Sequence, residues 1–267
     1  MDWTPHGNPQ HPVQQCLRLC VLPEPCYDRL VDLADPEDWG PSNRILKNYL
    51  SFSFSRAVFL TERDVDQTAP SNLPLVFDDD RCLFNTGLYT RRYETIYGLF
   101  EPNTKPDARQ RWFLKGFFKE SDPMLVSFEY LPCRVRFAED PSELVFDYRL
   151  PIRSNIDHIL GDEENLTRIP ASLMGEDNSL LLRRAFEGAV VEAARRAAAN
   201  YTLAVPQFYG GRIQLLLPLC LTGDKPELAL TIQREDGFYA ARTCLTLDMA
   251  YNNARLICRP ETSWIKR

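Results

Sequence analysis

Two segments of the chain place apolar residues at the spacing of one helical face. From Ser179 to Asn200 these residues are Leu182, Phe186, Ala189, Val190, Ala193 and Ala197, and alanine has the highest intrinsic helix propensity. We predict one long helix there. Ile45, Tyr49, Leu50, Phe54 and Val58 repeat the spacing, which predicts a second helix over Ser42 to Leu60 with Ser42 as its N-cap.

Alternating apolar and polar residues follow the long helix and are interrupted by glycine and proline. Hairpin turns are predicted at Gly210-Gly211, at Gly223 to Pro226 and at Glu235 to Gly237, since these residues suit tight connections between antiparallel strands. The carboxyl-terminal third therefore predicts an antiparallel meander.

Further strand patterns lie in the first half and the middle of the chain. Cys82 to Phe84 leads into a predicted turn at Asn85-Thr86-Gly87, and Leu88 to Phe100 and Arg111 to Lys119 each alternate as a strand would. Residues 134–138 and 144–149 flank a turn and predict a strand pair.

Two segments are harder to interpret. Cys16 to Leu33 favours a short helix broken by Pro23 and Pro25. Residues 248–257 fit either a hairpin that turns at Asn252-Asn253 or two turns of helix, and we favour the hairpin because Leu245, Leu247 and Met249 alternate.

These elements predict an α+β fold: a large, curved antiparallel sheet, formed in its last part by the meander, packed against the long helix, with the second helix nearer the amino terminus. Residues 1–37 are expected to be an amino-terminal extension that is disordered in part. Residues 38–267 are expected to form a single α+β domain, because no linker divides them.

Composition narrows the class of protein. The net charge of -6 and the pI near 5.3 argue against nonspecific coating of nucleic acid, which depends on excess Lys and Arg. No secretory signal pattern and no span of membrane length appears, so we expect a cytoplasmic protein without membrane contact whose eight cysteines are thiols. Kinase, P-loop and serine hydrolase motifs are missing, and we expect no cofactor and no metal.

Polar residues inside otherwise apolar strands are the main candidates for a site. Gln207, Tyr209 and Gln214 surround the Gly210-Gly211 turn and would lie together if it closes a hairpin. Because buried amides must be hydrogen-bonded, such a cluster is either a binding site or a structural network.

A second cluster combines Asp248, Tyr251, Asn253 and Arg255 within eight residues. Arginine binds phosphate in a bidentate manner and tyrosine stacks on bases, although turn chemistry and an Asp248–Arg255 pair would explain the same residues. Weaker ligand-binding candidates are Asn85 and Thr86 in a turn that could hold an anion, with Arg92 beyond them, and Trp112 in a strand with basic neighbours.

His158 is the one histidine outside the amino-terminal segment. It is the natural candidate for a catalytic base near neutral pH. A histidine at the start of a helix is also commonly a surface residue.

Three phrases resemble a bacterial family of domains of unknown function, DUF3825: residues 199–207, residues 214–219 and residues 245–256. Residues 84–88 and 43–50 are similar to the first half of that family. Members often lie beside LOTUS-type (OST-HTH) RNA-binding modules, and the resemblance therefore implies work on RNA or nucleotides. Residues 1–37 are too short for such a module, so we expect none within this chain.

The first hypothesis is thus a nucleotide- or RNA-binding domain in RNA or nucleotide metabolism, which recognises phosphate and base through its amides and arginine. The alternatives are a metal-independent nuclease or nucleotide hydrolase with His158 as base, and a scaffold domain that binds no small ligand. Ligand identity and oligomeric state stay open.

Overall fold

The computed structural model describes residues 16, 18–78, 80–174 and 179–265. The chain divides into two compact units, Met1–Arg136 and Phe137–Arg267. Each unit has one five-stranded sheet with helices, and the α+β class is confirmed. The boundary between the units falls within residues 38–267, and the assignment of that range to a single domain stays a prediction. The disorder expected near the amino terminus also stays a prediction, since much of that segment lies outside the described residues.

The first unit has its strands in the spatial order β1-β5-β4-β3-β2. The neighbouring strands β2 and β3, β3 and β4, and β4 and β5 pair in antiparallel fashion, and the short β1 is parallel to β5. The elements are β1 (Cys20–Val21), α1 (Glu24–Leu33), α2 (Arg44–Asp64), β2 (Leu75–Asp78), β3 (Arg81–Tyr89), β4 (Thr95–Pro102) and β5 (Trp112–Lys119).

Helix α2 and a loop contribute apolar side chains to the core of this unit. The Phe54 ring of α2 lies 5.4 Å from the Phe84 ring and 5.1 Å from the Phe100 ring, measured between centroids. Leu125 and Phe128 of the loop pack with strand residues in another buried cluster. Burial of these apolar surfaces is the main stabilising contribution to the unit.

Helices α1 and α2 differ at their starts from the sequence prediction. Residues 18 and 19 are helical, residues 20 and 21 are extended, and α1 then begins at Glu24 with Pro23 as its N-cap and Pro25 in its first turn, where a missing amide hydrogen costs nothing. Ser42 is not the N-cap of α2: Pro41–Asn43 forms a 3₁₀ turn, and Asn43, with φ of 55°, takes the cap position. Its side chain donates to Asp28 instead of capping the helix.

The predicted turn at residues 85–87 and the predicted strand at residues 88–100 are wrong. Gly87 lies inside β3 at an irregularity in the pairing with β4. The chain turns later, at Thr90 to Glu94, because the Thr90 hydroxyl accepts hydrogen bonds from the amides of Arg92 (3.3 Å) and Glu94 (3.2 Å).

The second unit has its strands in the spatial order β6-β10-β9-β8-β7, antiparallel except for the edge pair β6 and β10. The elements are β6 (Ile152–Arg153), α3 (Ile156–Gly161), α4 (Glu163–Leu166), α5 (Ser179–Ala199), β7 (Val205–Tyr209), β8 (Arg212–Leu219), β9 (Leu228–Glu235), β10 (Phe238–Thr246) and α6 (Leu247–Ala254). The predicted meander, its three turns and the long helix are confirmed.

The strand pair predicted at residues 134–149 is wrong, since this stretch is a loop with a 3₁₀ turn at Pro141–Leu144. Asp140 caps that turn by accepting from the Ser142 amide at 2.8 Å. Phe146, one of the apolar residues that suggested a strand, is an anchor within the second unit: its ring stacks on Tyr239, with centroids 5.1 Å apart.

The segment interpreted as a hairpin at residues 248–257 is a helix, α6, followed by a turn. Thr246 is its N-cap, since its hydroxyl accepts from the Met249 amide at 3.3 Å. Ala250, Tyr251 and Ala254 form its buried face. Among the described residues, no helix has the length and hydropathy needed to cross a membrane.

Candidate functional site

One face of the second unit's sheet has a row of amide side chains across three adjacent strands. Gln207 of β7 is paired with Gln214 of β8, and the side chains of paired residues lie on the same face. Gln207 is 1 % exposed, Gln233 of β9 is 9 % exposed, and Gln214 is half-buried. Asn253 of α6 joins the end of this row, and we call these four residues the amide row.

Hydrogen bonds run through the amide row in one direction. Asn253 Nδ2 donates to Gln207 Oε1 at 3.1 Å, Gln207 Nε2 to Gln214 Oε1 at 2.8 Å, and Gln214 Nε2 to Gln233 Oε1 at 3.4 Å. Gln233 Nε2 then donates to the Glu235 carboxylate at 3.1 Å. The row is therefore a structural network, and it fixes the side chain of Gln214 at both ends.

Beyond the amide row, the same face opens to solvent near the two hairpin turns. Tyr209 is paired with Arg212 and Phe238 with Glu235, and the two-residue period of a strand places all four on the face of the amide row. Tyr209 is 65 % exposed and Arg212 is exposed. We call these four residues and Arg153 the open face.

Charges on the open face are balanced in part. The carboxylate of Glu235 forms an ion pair with Arg242, so one acidic group is neutralised. The guanidinium of Arg153 lies 4.2 Å from the centroid of the Phe238 ring, a cation–π contact. Arg212 forms no ion pair with any described residue. The open face thus presents two arginines without carboxylate partners and two aromatic rings.

The structure brings three sequence candidates together: Gln207, Gln214 and Asn253, with Tyr209 on the same face. The other candidates near the carboxyl terminus are less accessible. Tyr251 is 4 % exposed and Arg255 is 5 % exposed, and both are engaged within the protein. Asp248 lies in the first turn of α6, where its negative charge interacts favourably with the positive end of the helix dipole.

Another buried polar cluster in the second unit is saturated by its own hydrogen bonds. The side chain of Asn165 accepts from the Thr243 hydroxyl (2.5 Å), the Cys244 amide (3.3 Å) and Arg168 (3.1 Å). It donates to the Ile159 carbonyl at 3.0 Å. Burial also raises the pKa of the Cys244 thiol to about 12, so this cluster anchors α4 to β10 and offers no nucleophile at neutral pH.

Candidates in the first unit have mainly internal partners. Asn85 Nδ2 donates to the Pro132 carbonyl at 2.9 Å and the Thr86 hydroxyl to the Ile96 carbonyl at 2.6 Å. Trp112 is 4 % exposed and its ring packs 6.0 Å from that of Phe77. Arg92, by contrast, is exposed at the tip of the β3–β4 hairpin.

His158 is exposed in the first turn of α3. Its backbone amide donates to the side chain of Asn155, the N-cap of that helix, at 3.2 Å. No hydrogen bond or ion pair joins its imidazole to another residue of the described part of the chain. The geometry supplies no partner to orient it as a base.

Sequence reasoning missed Gln233, Arg212, Phe238 and Arg153. The hairpin registers contained the signal: Gln207 lies three residues before Gly210 and Gln233 lies four residues before Gly237, so both glutamines stand near a turn. Continuing the β8–β9 register beyond its last pair places Gln233 opposite Gln214. Metal-binding groups of His, Cys, Asp and Glu are absent from the described residues.

The fold and this face define an α+β protein whose second sheet has one polar face that is open at its turn end. The chain belongs to the family described as a domain of unknown function, DUF3825, whose model matches residues 30–264. No curated protein and no solved structure gives a significant match.

Proposed function

We propose that the protein binds single-stranded RNA or a nucleotide on the open face of its second unit. The observation that carries the proposal is the pairing of Tyr209 with Arg212 at a hairpin turn, both exposed, directly beside the amide row. Sheets that bind single-stranded RNA use this combination: aromatic rings for the bases and basic side chains for the backbone.

Each group has a role that its geometry supports. The Tyr209 ring is 65 % exposed and has no aromatic or cationic partner among the described residues, so it can stack on a base. The Arg212 guanidinium can bind a phosphate through two parallel hydrogen bonds. Gln214, held at both ends by its neighbours, has an unused amide hydrogen that can read a base edge.

The acidic net charge of -6 favours a local site over a nonspecific one. Nonspecific binding depends on many phosphate contacts, whereas the open face has two arginines without carboxylate partners. A short ligand that is held by stacking as well as charge fits this arrangement. The proposal includes a role in RNA or nucleotide metabolism in the cytoplasm.

We place binding ahead of catalysis because a general base must be oriented within reach of its proton. His158 is exposed and its imidazole has no orienting partner within the described chain. The open face itself has no histidine, cysteine or metal-binding group. We therefore propose that the open face binds a phosphate and a base and carries out no chemical step on them.

The test is fluorescence anisotropy with a labelled ten-nucleotide oligouridylate, with uridine monophosphate as competitor. Tyr209→Ala should weaken binding by about 1–3 kcal/mol, the contribution of one stacked base. Arg212→Gln should weaken it and reduce the salt dependence of affinity by about one phosphate contact. Melting temperatures should stay unchanged, since both side chains are exposed.

Two matched controls lie on the same unit. Tyr201 is 76 % exposed and precedes β7, and Arg184 is exposed on α5. Tyr201→Ala and Arg184→Gln should bind like the unmodified protein. Equal losses in the controls, or no binding of either probe by the unmodified protein, would contradict the proposal.

A further inference from the structure

The tip of the β3–β4 hairpin in the first unit has an unusual backbone. Residues Thr90 to Glu94 form the turn, closed by bonds from the Thr90 amide to the Glu94 carbonyl (2.9 Å) and from the Tyr93 amide to the Thr90 carbonyl (2.8 Å). Tyr93 has φ of 61°. Glycine or asparagine suits this left-handed position, and a bulky side chain there is strained.

Tyr93 has no packing that would explain its presence. Its side chain is 85 % exposed, and no described residue forms a hydrogen bond or ring contact with it. A strained and solvent-exposed tyrosine contributes nothing to the folded state that glycine would not. Residues held in such conformations concentrate at functional sites.

The neighbours of Tyr93 are basic and also exposed. Arg91 and Arg92 precede it, and neither forms an ion pair with a described residue. Glu94, the acidic residue of the turn, is neutralised by Lys119 at 3.1 Å. Hydrogen bonds from Ser121 and Lys119 hold the pKa of its carboxyl below the usual range. The two arginines therefore give the turn an excess of positive charge.

Hydrogen bonds within the first unit hold the turn in its conformation without a ligand. Thr90 is 8 % exposed, and its hydroxyl accepts from two amides of the turn. The Asp35 amide donates to the Tyr89 carbonyl at 2.8 Å, which ties the base of the hairpin to the segment after α1. A turn that is already held by its own hydrogen bonds loses less conformational entropy on binding.

We infer that this tip is a second, independent binding site for single-stranded nucleic acid, with an unpaired base stacked on Tyr93 and adjacent phosphates bound by Arg91 and Arg92. Nucleic acid fits better than an acidic peptide, because each nucleotide supplies both a flat base for the exposed ring and a phosphate for the neighbouring arginines. The inference does not depend on the open face of the second unit.

The experiment separates binding from stability at one residue. Tyr93→Asn relieves the backbone strain, because asparagine tolerates the left-handed conformation, and removes the ring. We expect the melting temperature to stay equal or to rise, while affinity for the labelled ten-nucleotide oligouridylate, measured in a Tyr209→Ala background so that the open face does not contribute, falls about tenfold. In the same background, Tyr93→Phe keeps a stacking ring and should bind within about twofold of Tyr209→Ala alone.

A charge variant and a competitor complete the test. Arg91→Gln combined with Arg92→Gln should reduce the salt dependence of affinity by about two phosphate contacts. A decameric polyglutamate should not displace the oligouridylate. Unchanged affinity when Tyr93→Asn is added to the Tyr209→Ala background, or displacement by polyglutamate at equal concentration, would overturn the inference.

The two proposed sites can be refuted independently of each other. If binding depends on Tyr93 and not on Tyr209, the tip stands and the open face is not the site. If it depends on Tyr209 alone, the tip is excluded and the proposed function stands.

Discussion

Gly87 shows how closely a single residue is constrained by its surroundings. Its φ is 69°, and an added Cβ would lie 2.6 Å from the Tyr49 hydroxyl oxygen and 3.2 Å from Arg134 Nε. The Tyr49 hydroxyl cannot withdraw without losing its 2.7 Å bond to the Thr86 carbonyl. Glycine is required here both by the backbone conformation and by the space.

Gly87→Ala should lower the free energy of unfolding by about 3 kcal/mol, the sum of left-handed strain and steric overlap. Chemical denaturation measures this change. Gly210→Ala is the matched control, because Gly210 has φ of 58° but no atom within 4 Å of an added Cβ. It should cost only about 1–2 kcal/mol. Equal losses in both variants would mean that the Tyr49 contact adapts freely.

Individual residues also show where sequence reasoning succeeds. Gln207 and Gln214 were expected to lie together because a Gly-Gly turn determines the register of its hairpin, and the structure confirms their pairing. Arg255 could not be located in the same way, because its position depends on how the chain continues after Thr246. The burial of Tyr251 and Arg255 follows from the packing of α6, which no local pattern specifies.

At the scale of elements, the predictions are confirmed where the hydrophobic periodicity and the glycine-containing turns indicate the same element. The long helix and the meander have strong apolar periodicity and glycine-bearing turns, and both formed as expected. The hairpin predicted at residues 248–257 is wrong, because the helix cap at Thr246 outweighs the alternation of apolar residues before it. Thr246 followed by Asp248 is a helix start, with a hydroxyl for the Met249 amide and an acidic side chain in the first turn.

Helix α6 therefore depends on its cap. Thr246→Val removes the hydroxyl that accepts from the Met249 amide and should lower the free energy of unfolding by about 1 kcal/mol. The melting temperature should fall by a few degrees. Thr246→Ser retains an acceptor and should remain close to the unmodified protein. If Thr246→Val unfolds at the same temperature as Thr246→Ser, packing of the Ala250 face alone holds α6.

At the scale of the whole molecule, both units contain carboxylates that are stabilised in the ionised form. In the first unit, the hydrogen bond from Arg63 lowers the pKa of Asp64, with Arg136 as a further cause. In the second unit, hydrogen bonds from Arg149 lower the pKa of Asp147 to about 2. Asp147 lies in the loop that was expected to be a strand pair, and its amide donates to the Tyr239 hydroxyl at 2.9 Å.

A carboxyl group whose pKa is lower in the folded chain contributes stability above its unfolded pKa, near 4, and loses it as the pH falls through the folded value. Asp147 should therefore stabilise the second unit fully at pH 7 and not at all below about pH 2.

Asp147→Asn should melt at a lower temperature than the unmodified protein at pH 7, and the difference should shrink between about pH 4 and about pH 2. Calorimetry across this range measures it, with Asp236→Asn, an exposed turn residue, as the control that should show no difference at either end. A deficit in Asp147→Asn that persists undiminished to the lowest pH would show that the loop depends on the shape of the side chain and not on its charge.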